Sequence, residues 1–293
     1  MSRLNTIFVA LAALFWGISA GIAAILMNEG WHPFVVSFYR GSIGLLFVLV
    51  WLALRPQKSG LANRRLWFWS VIAGLGVAGN FAFYFISIAE GSVAVAATLM
   101  YCAPIFVYLV SFMVGLETPS SLKWAAIIVV MIGIVLLTQI YDIGPDGITP
   151  IGVGAGLLAG MSYAVFIFGF KFASPHGSSQ MILAIALTVL ASILIWPSDF
   201  EQVIAVPASP EWSLFIILGM LGAGLSFVIY IFGLKYTAPA IASIMAMVEP
   251  VTASLFGVLI LGETLTIMQI LGMGMILFSV TALSVYSGIR MRT

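Results

Sequence analysis

A chain of 293 residues that is 62% hydrophobic and 7% charged cannot hide its apolar surface in a water-soluble core, where about 25% of residues carry charge. Most of it must be solvated by lipid. A net charge of +1 offers no basic face to nucleic acid, and the one cysteine, Cys102, excludes an intramolecular disulfide and reads as a small buried side chain within an apolar run.

A membrane-crossing helix needs about 20 apolar residues. Ten such stretches are predicted, at about 5–27, 34–54, 66–88, 92–115, 122–140, 151–172, 180–196, 212–234, 239–261 and 266–287. The first has Arg3 before it and small residues near Ala20-Gly21-Ile22-Ala23, as a signal peptide would, but it is too long for an h-region. It also has a counterpart: Ala12 to Gly17, with Phe15-Trp16-Gly17, resembles Ala159 to Ala164, with Ser162-Tyr163-Ala164. It is therefore read as a resident helix. Gly41 and Gly44 in the second stretch, and Gly152, Gly156 and Gly160 on one face of the sixth, serve close helix approach.

The segment from Phe227 to Thr264 repeats an earlier one. Slid back along the chain it falls without a gap on Phe81 to Thr118, with Tyr84 over Tyr230, Pro104 over Pro250 and Glu117-Thr118 over Glu263-Thr264. The chain thus reads as two copies of a five-helix unit, residues 1–146 and 147–293, joined by the Gly-, Pro- and Asp-rich loop Tyr141 to Pro150. With the N-terminus in the cytoplasm, Arg3, Arg55, Lys58, Arg64, Arg65, Lys123, Lys171, Lys235, Arg290 and Arg292 all fall on the cytoplasmic side; the remaining basic residue, Arg40, is inside the second span. The outer loops carry only acids, so the bias of positive charge is complete. Five spans per copy is an odd number, so the second copy is expected to enter the membrane from the opposite face. That makes an all-α integral membrane protein of ten helices in two inverted repeats, with both termini cytoplasmic. Secondary transporters with this layout bind substrate near the midplane, between the copies.

Enzymatic motifs fail on context. Gly74-Leu75-Gly76-Val77-Ala78-Gly79 matches a dinucleotide fingerprint, which has meaning only in a βαβ unit. Gly17-Ile18-Ser19-Ala20-Gly21 matches a nucleophile elbow, but that needs a strand-to-helix turn and a reachable histidine; His32 and His176 are expected in loops on opposite sides of the membrane. No Walker A sequence and no metal-ligand cluster is present, so no enzyme activity, cofactor or metal is expected.

Two embedded charges stand out. Burying one at a helix centre costs about 2.5–3.5 kcal/mol on insertion scales, so such residues face a cavity or a partner. Arg40 could line a cavity, snorkel to the outer headgroups or pair with carbonyls. Glu249 is too deep to snorkel and is expected in a cavity or bonded beside Pro250. Pro104 and Pro250 lack an N–H and are expected to kink their helices, freeing the carbonyls of Met100 and Ala246 at mid-depth in both copies. Around them stands a polar-aromatic set of cavity candidates: Trp16, Asn80, Tyr84, Tyr101, Tyr163, Ser226, Tyr230 and Met245, with Met247 beside them. Singly each reads equally well as packing; the set draws weight from its symmetry, with Asn80 and Tyr84 matched by Ser226 and Tyr230.

Phe15-Trp16-Gly17, an Arg after an aromatic in the second span, Pro104, Gly115-Leu116-Glu117, and Glu249-Pro250 through Gly262-Glu263 together resemble the drug/metabolite transporter superfamily, in its EamA-type branch. The resemblance spans the whole chain. By overall likeness it is most similar to bacterial aromatic amino acid exporters. It implies a multi-pass carrier of the bacterial cytoplasmic membrane, possessing a central cavity and working by alternating access. The scarcity of embedded basic residues departs from relatives that exchange sugar phosphates. The expected partners are a small zwitterionic or amphipathic substrate, amino acids first, and the bilayer, for a chain expected to act as a monomer. A multidrug exporter of lipophilic cations is the alternative transporter, and a membrane scaffold or intramembrane enzyme the alternative of another class.

Overall fold

A computed structural model of the chain describes residues 2–54, 60–144 and 149–290, and among these residues no strand occurs. The helices are α1 (Ser2–Asn28), α2 (Pro33–Leu54), α3 (Arg64–Ala89), α4 (Val93–Met100), α5 (Ala103–Met113), α6 (Ser121–Thr138), α7 (Pro150–Ala173), α8 (Ser179–Leu194), α9 (Phe200–Ala205), α10 (Trp212–Gly219), α11 (Ser226–Lys235), α12 (Pro239–Met245), α13 (Val248–Leu261) and α14 (Ile267–Arg290). Their starts are written locally. Asn63, Ser92, Thr149 and Ser178 each accept a backbone N–H as N-caps, and Pro150 and Pro239 occupy first-turn positions that need no N–H.

Nine segments among the described residues are long and apolar enough to cross a membrane. The seventh stretch, expected at 180–196, forms the 16-residue α8. At about 1.5 Å per residue this is roughly 24 Å, short of the roughly 30 Å hydrocarbon core. Arg55, Lys58, Asp146, Arg292 and the boundary between residues 146 and 147 lie outside the described residues.

Three spans are composite. α4 and α5 form the fourth, α12 and α13 the ninth, and α10 and α11 are joined by a π-helical stretch, Met220–Leu225. The expected proline kinks take a different form. Each proline sits in the first turn of a restarted helix, Pro104 in α5 and Pro250 in α13, where the missing N–H is an orphan in any case. The breaks precede them, at Tyr101-Cys102 and Ala246-Met247. The carbonyl of Ala246 is not free, because Glu249 N donates to it at 2.9 Å in a tightened turn. Met100 O faces the sixth span so closely that a Cβ added at Gly160 would lie 3.1 Å from it.

Exchange of either proline for alanine supplies an N–H that lets the two half-helices run together. P104A and P250A are expected to insert and purify normally but to transport more slowly. Wild-type rates in both would show that the breaks serve packing alone.

The packing interleaves the two halves. α1 lies against α11 and α13, α7 against α3 and α4, α2 crosses α8, and α6 lies along α14. Glycines set the approach: a Cβ at Gly17 would stand 2.6 Å from Glu249 O, and one at Gly76 2.5 Å from Phe166 N. The fingerprint-like run in α3 is thus a helix-packing surface.

Candidate functional site

α1, α2, α3, α7, α11 and α13 converge on a small cavity of about 20 Å³. Its aromatic walls are Trp16, Phe81, Tyr163, Phe166 and Phe227, with Val77 and Asn80 on α3 and two ionisable groups, Arg40 and Glu249. The rings hold one another in edge and tilted contacts. Trp16 lies 5.2 Å from Phe227 and 4.9 Å from Tyr230, and Tyr163 lies 4.4 Å from Phe166.

Arg40 takes the carbonyl-pairing option. Its Nε and Nη2 donate to Gly222 O at 3.1 and 3.0 Å, and its guanidinium lies 4.9 Å from the centre of the Phe81 ring. Gly222 belongs to the π-helical stretch, where the backbone ladder is out of its usual register. A Cβ there would lie 2.6 Å from Arg40 Nε and 2.7 Å from Ser19 Oγ, so only glycine admits the guanidinium. Of five guanidinium N–H donors, these bonds use one on each of two nitrogens.

Glu249 lines the same cavity from the first turn of α13, where the helix dipole favours an acid. The ion pair found among the described residues is Lys123–Glu117, so Arg40 and Glu249 face one cavity without a salt bridge between them. Four buried polar atoms nearby have no hydrogen-bond partner among the described residues: Trp16 Nε1, Tyr163 OH, Tyr230 OH and Ser226 Oγ. Buried polar groups are nearly always paired, so these four atoms stand out beside the cavity.

A second polar cluster clamps the turn between α11 and α12. Lys171 Nζ donates to the carbonyls of Leu234, Lys235 and Thr237 at 2.9, 3.0 and 2.8 Å. Glu117 Oε1 accepts from Ala240 N at 3.1 Å while its other oxygen pairs with Lys123. A cation thus closes the C-terminus of α11 and an anion the N-terminus of α12, each complementing its helix dipole.

The model of the EamA-like transporter family matches the chain twice, over residues 4–139 and 150–285. The chain belongs to the EamA-like transporter family. It is similar to an uncharacterized transporter of Archaeoglobus fulgidus, 29% identical over 273 residues, which cover 93% of each chain. It is also similar to the uncharacterized transporter YwfM of Bacillus subtilis, at 25% identity covering 96% of this chain and 94% of that one. The uncharacterized inner membrane transporter YedA of Escherichia coli K12 is 26% identical, with 95% and 90% covered. A crystal structure of a protein 16% identical shares the fold, with a TM-score of 0.78 and 99% of both chains covered. This EamA-like chain is accordingly a multi-pass membrane protein of a transporter family.

Of the residues singled out in the sequence of this EamA-like protein, the fold brings Trp16, Arg40, Asn80, Tyr163 and Glu249 to one cavity. Asn80 Nδ2 donates to Ala159 O at 3.0 Å and so ties α3 to α7. Tyr230 backs Trp16, and Ser226 lies one turn before it, both fully buried. Tyr84 is one turn beyond Asn80, half-buried and 5.7 Å from Phe85. Tyr101, Met245 and Met247 are buried at the helix breaks, and neither they nor Tyr84 are among the cavity walls. Val77, Phe81, Phe166 and Phe227 escaped the sequence reading. Helical spacing from Asn80 and Tyr163 marks Val77 and Phe166, and the repeat superposes Phe81 on Phe227.

Proposed function

We propose that this chain is a secondary carrier exporting small zwitterionic or amphipathic metabolites, with aromatic amino acids foremost, across a bacterial cytoplasmic membrane. The observation that carries the proposal is the pair of opposite, mutually unbridged charges in one aromatic box. A substrate carboxylate pairs with the donors of Arg40, its ammonium with Glu249, and an aromatic body stacks among Trp16, Phe166 and Phe227. A lipophilic cation would also suit Glu249, but Arg40, which lines the same cavity, repels it.

At about 20 Å³ the cavity has room for a water molecule and not for an amino acid. Loading therefore requires the two five-helix halves, 1–146 and 147–293, to part on one side at a time, which is alternating access about a fixed midplane site. Purified protein in liposomes, offered labelled amino acids with and without a pH gradient, tests the reading: saturable transport of aromatic amino acids supports it, and no flux of any of them refutes it.

The inverted arrangement makes a separate prediction. In a C102A background, S2C is expected to label with an impermeant thiol reagent from the cytoplasmic face and D146C from the outer face. Labelling of both from one face would remove the inversion, and the midplane site with it.

A further inference from the structure

A lateral groove of about 350 Å³ lies between α3 and α5, with α7 as its floor. Its walls are apolar and run in stripes at helical spacing: Trp69 and Ile72 on α3, Phe106 and Val110 on α5, and Met161, Ala164, Val165, Phe168 and Phe172 on α7. The stripe on α7 extends about 16 Å at 1.5 Å per residue, parallel to the helices and so to an acyl chain in the bilayer. The rim residues Met161 and Val165 are 49% and 41% exposed, so the groove opens sideways to lipid.

The other half of the molecule shows that the groove is not a by-product of the fold. In the repeat, Val110 corresponds to Phe256, Ala164 to Gly17, and Phe168 to Gly21. There the glycines let α13 settle on α1, and Phe256 packs against Gly21. Trp69 and Ile72 correspond to Phe215 and Leu218, both fully buried. Phe256 fills in one half the space that Val110 leaves open in the other. Ala164 and Phe168 hold α5 off α7, and Val110 is too small to fill the space.

A cation stands near one end of the groove. Arg65 is exposed in the first turn of α3, four residues before Trp69 and therefore on the same face, one turn nearer the helix end. No acid is among the groove walls. We infer that this groove is a binding site for an anionic phospholipid, one acyl chain lying between α3 and α5 and the phosphate at Arg65. The inference is independent of the substrate proposed above.

The probe is phosphatidylglycerol brominated on one acyl chain, titrated into the full-length protein in detergent micelles and read by tryptophan fluorescence. Trp69 is a wall of the site, so a saturable component of the quenching is expected that disappears in W69F, leaving the share of the other seven tryptophans. V110F fills the groove from α5, and M161F fills it from the lipid-facing rim where folding tolerates bulk; each is expected to weaken binding about tenfold. R65Q is expected to lower the preference for phosphatidylglycerol over equally brominated phosphatidylcholine about fivefold. Equal quenching by both lipids in the wild type, or quenching unchanged in W69F and in M161F, would overturn the inference and leave only the ordinary lipid belt.

Discussion

Replacing Arg40 by glutamine is expected to weaken the apparent affinity for a carboxylate-bearing substrate by at least about 100-fold. Hydrogen bonds to a charged group contribute about 1.5–3 kcal/mol, and a bidentate carboxylate contact supplies two of them. Each 1.4 kcal/mol is a factor of ten. Lysine restores the charge but not the planar fork, and it cannot hold Gly222 O from two nitrogens while also reaching the cavity. R40K is therefore expected to recover only about a tenth of the lost affinity. The check is the concentration dependence of uptake into liposomes by protein that remains monodisperse. If R40Q kept wild-type affinity, the role of Arg40 would be confined to holding the π-helical stretch.

The second large effect is expected at the clamp on the α11–α12 turn. On the alternating-access proposal, opening of the cavity on the side of Lys171 and Glu117 moves α12 relative to α5 and α7, against which it packs. Such a movement breaks the bonds from Lys171 to three carbonyls and from Ala240 N to Glu117. K171M removes the ammonium, and E117Q keeps the acceptor while ending its pairing with Lys123. Losing the equivalent of one charged hydrogen bond shifts a two-state equilibrium by about 10–100-fold toward the open form. In a C102A background, S243C on α12, fully buried here, is expected to react that much faster with an impermeant maleimide in inside-out vesicles once K171M is added. An unchanged rate in both K171M and E117Q would show that the clamp stabilises the turn without gating the cavity.

Much of this architecture is legible in composition and repetition, and the remainder is lost for identifiable reasons. Apolar length marks the spans, yet α8 ends at Leu194, three residues before Pro197, because a proline stops a helix sooner than hydropathy alone suggests. Pro104 and Pro250 mark the right depth, but a proline is equally at home kinking a helix or starting one, and only the fold decides. The meeting of Arg40 and Glu249 is invisible in sequence. Depth along a helix says nothing of what stands across from it, and the approach depends on Gly222 and Gly17, which lie on other helices. The repeat offers no guidance either, since Ala103 stands where Glu249 does in the other copy. The family match covers both halves of the chain, yet the embedded acid stands in one of them.

The most direct test is equilibrium binding of three ligands that differ only in their ionic heads: phenylalanine, 3-phenylpropionate without the ammonium, and phenethylamine without the carboxylate. With Arg40 on the carboxylate and Glu249 on the ammonium, R40Q weakens phenylalanine and phenylpropionate by about 100-fold and spares phenethylamine. E249Q weakens phenylalanine and phenethylamine by about 10–100-fold and spares phenylpropionate. Losses that ignore the head group, equal for all three ligands in both variants, would contradict a zwitterion held between the two charges.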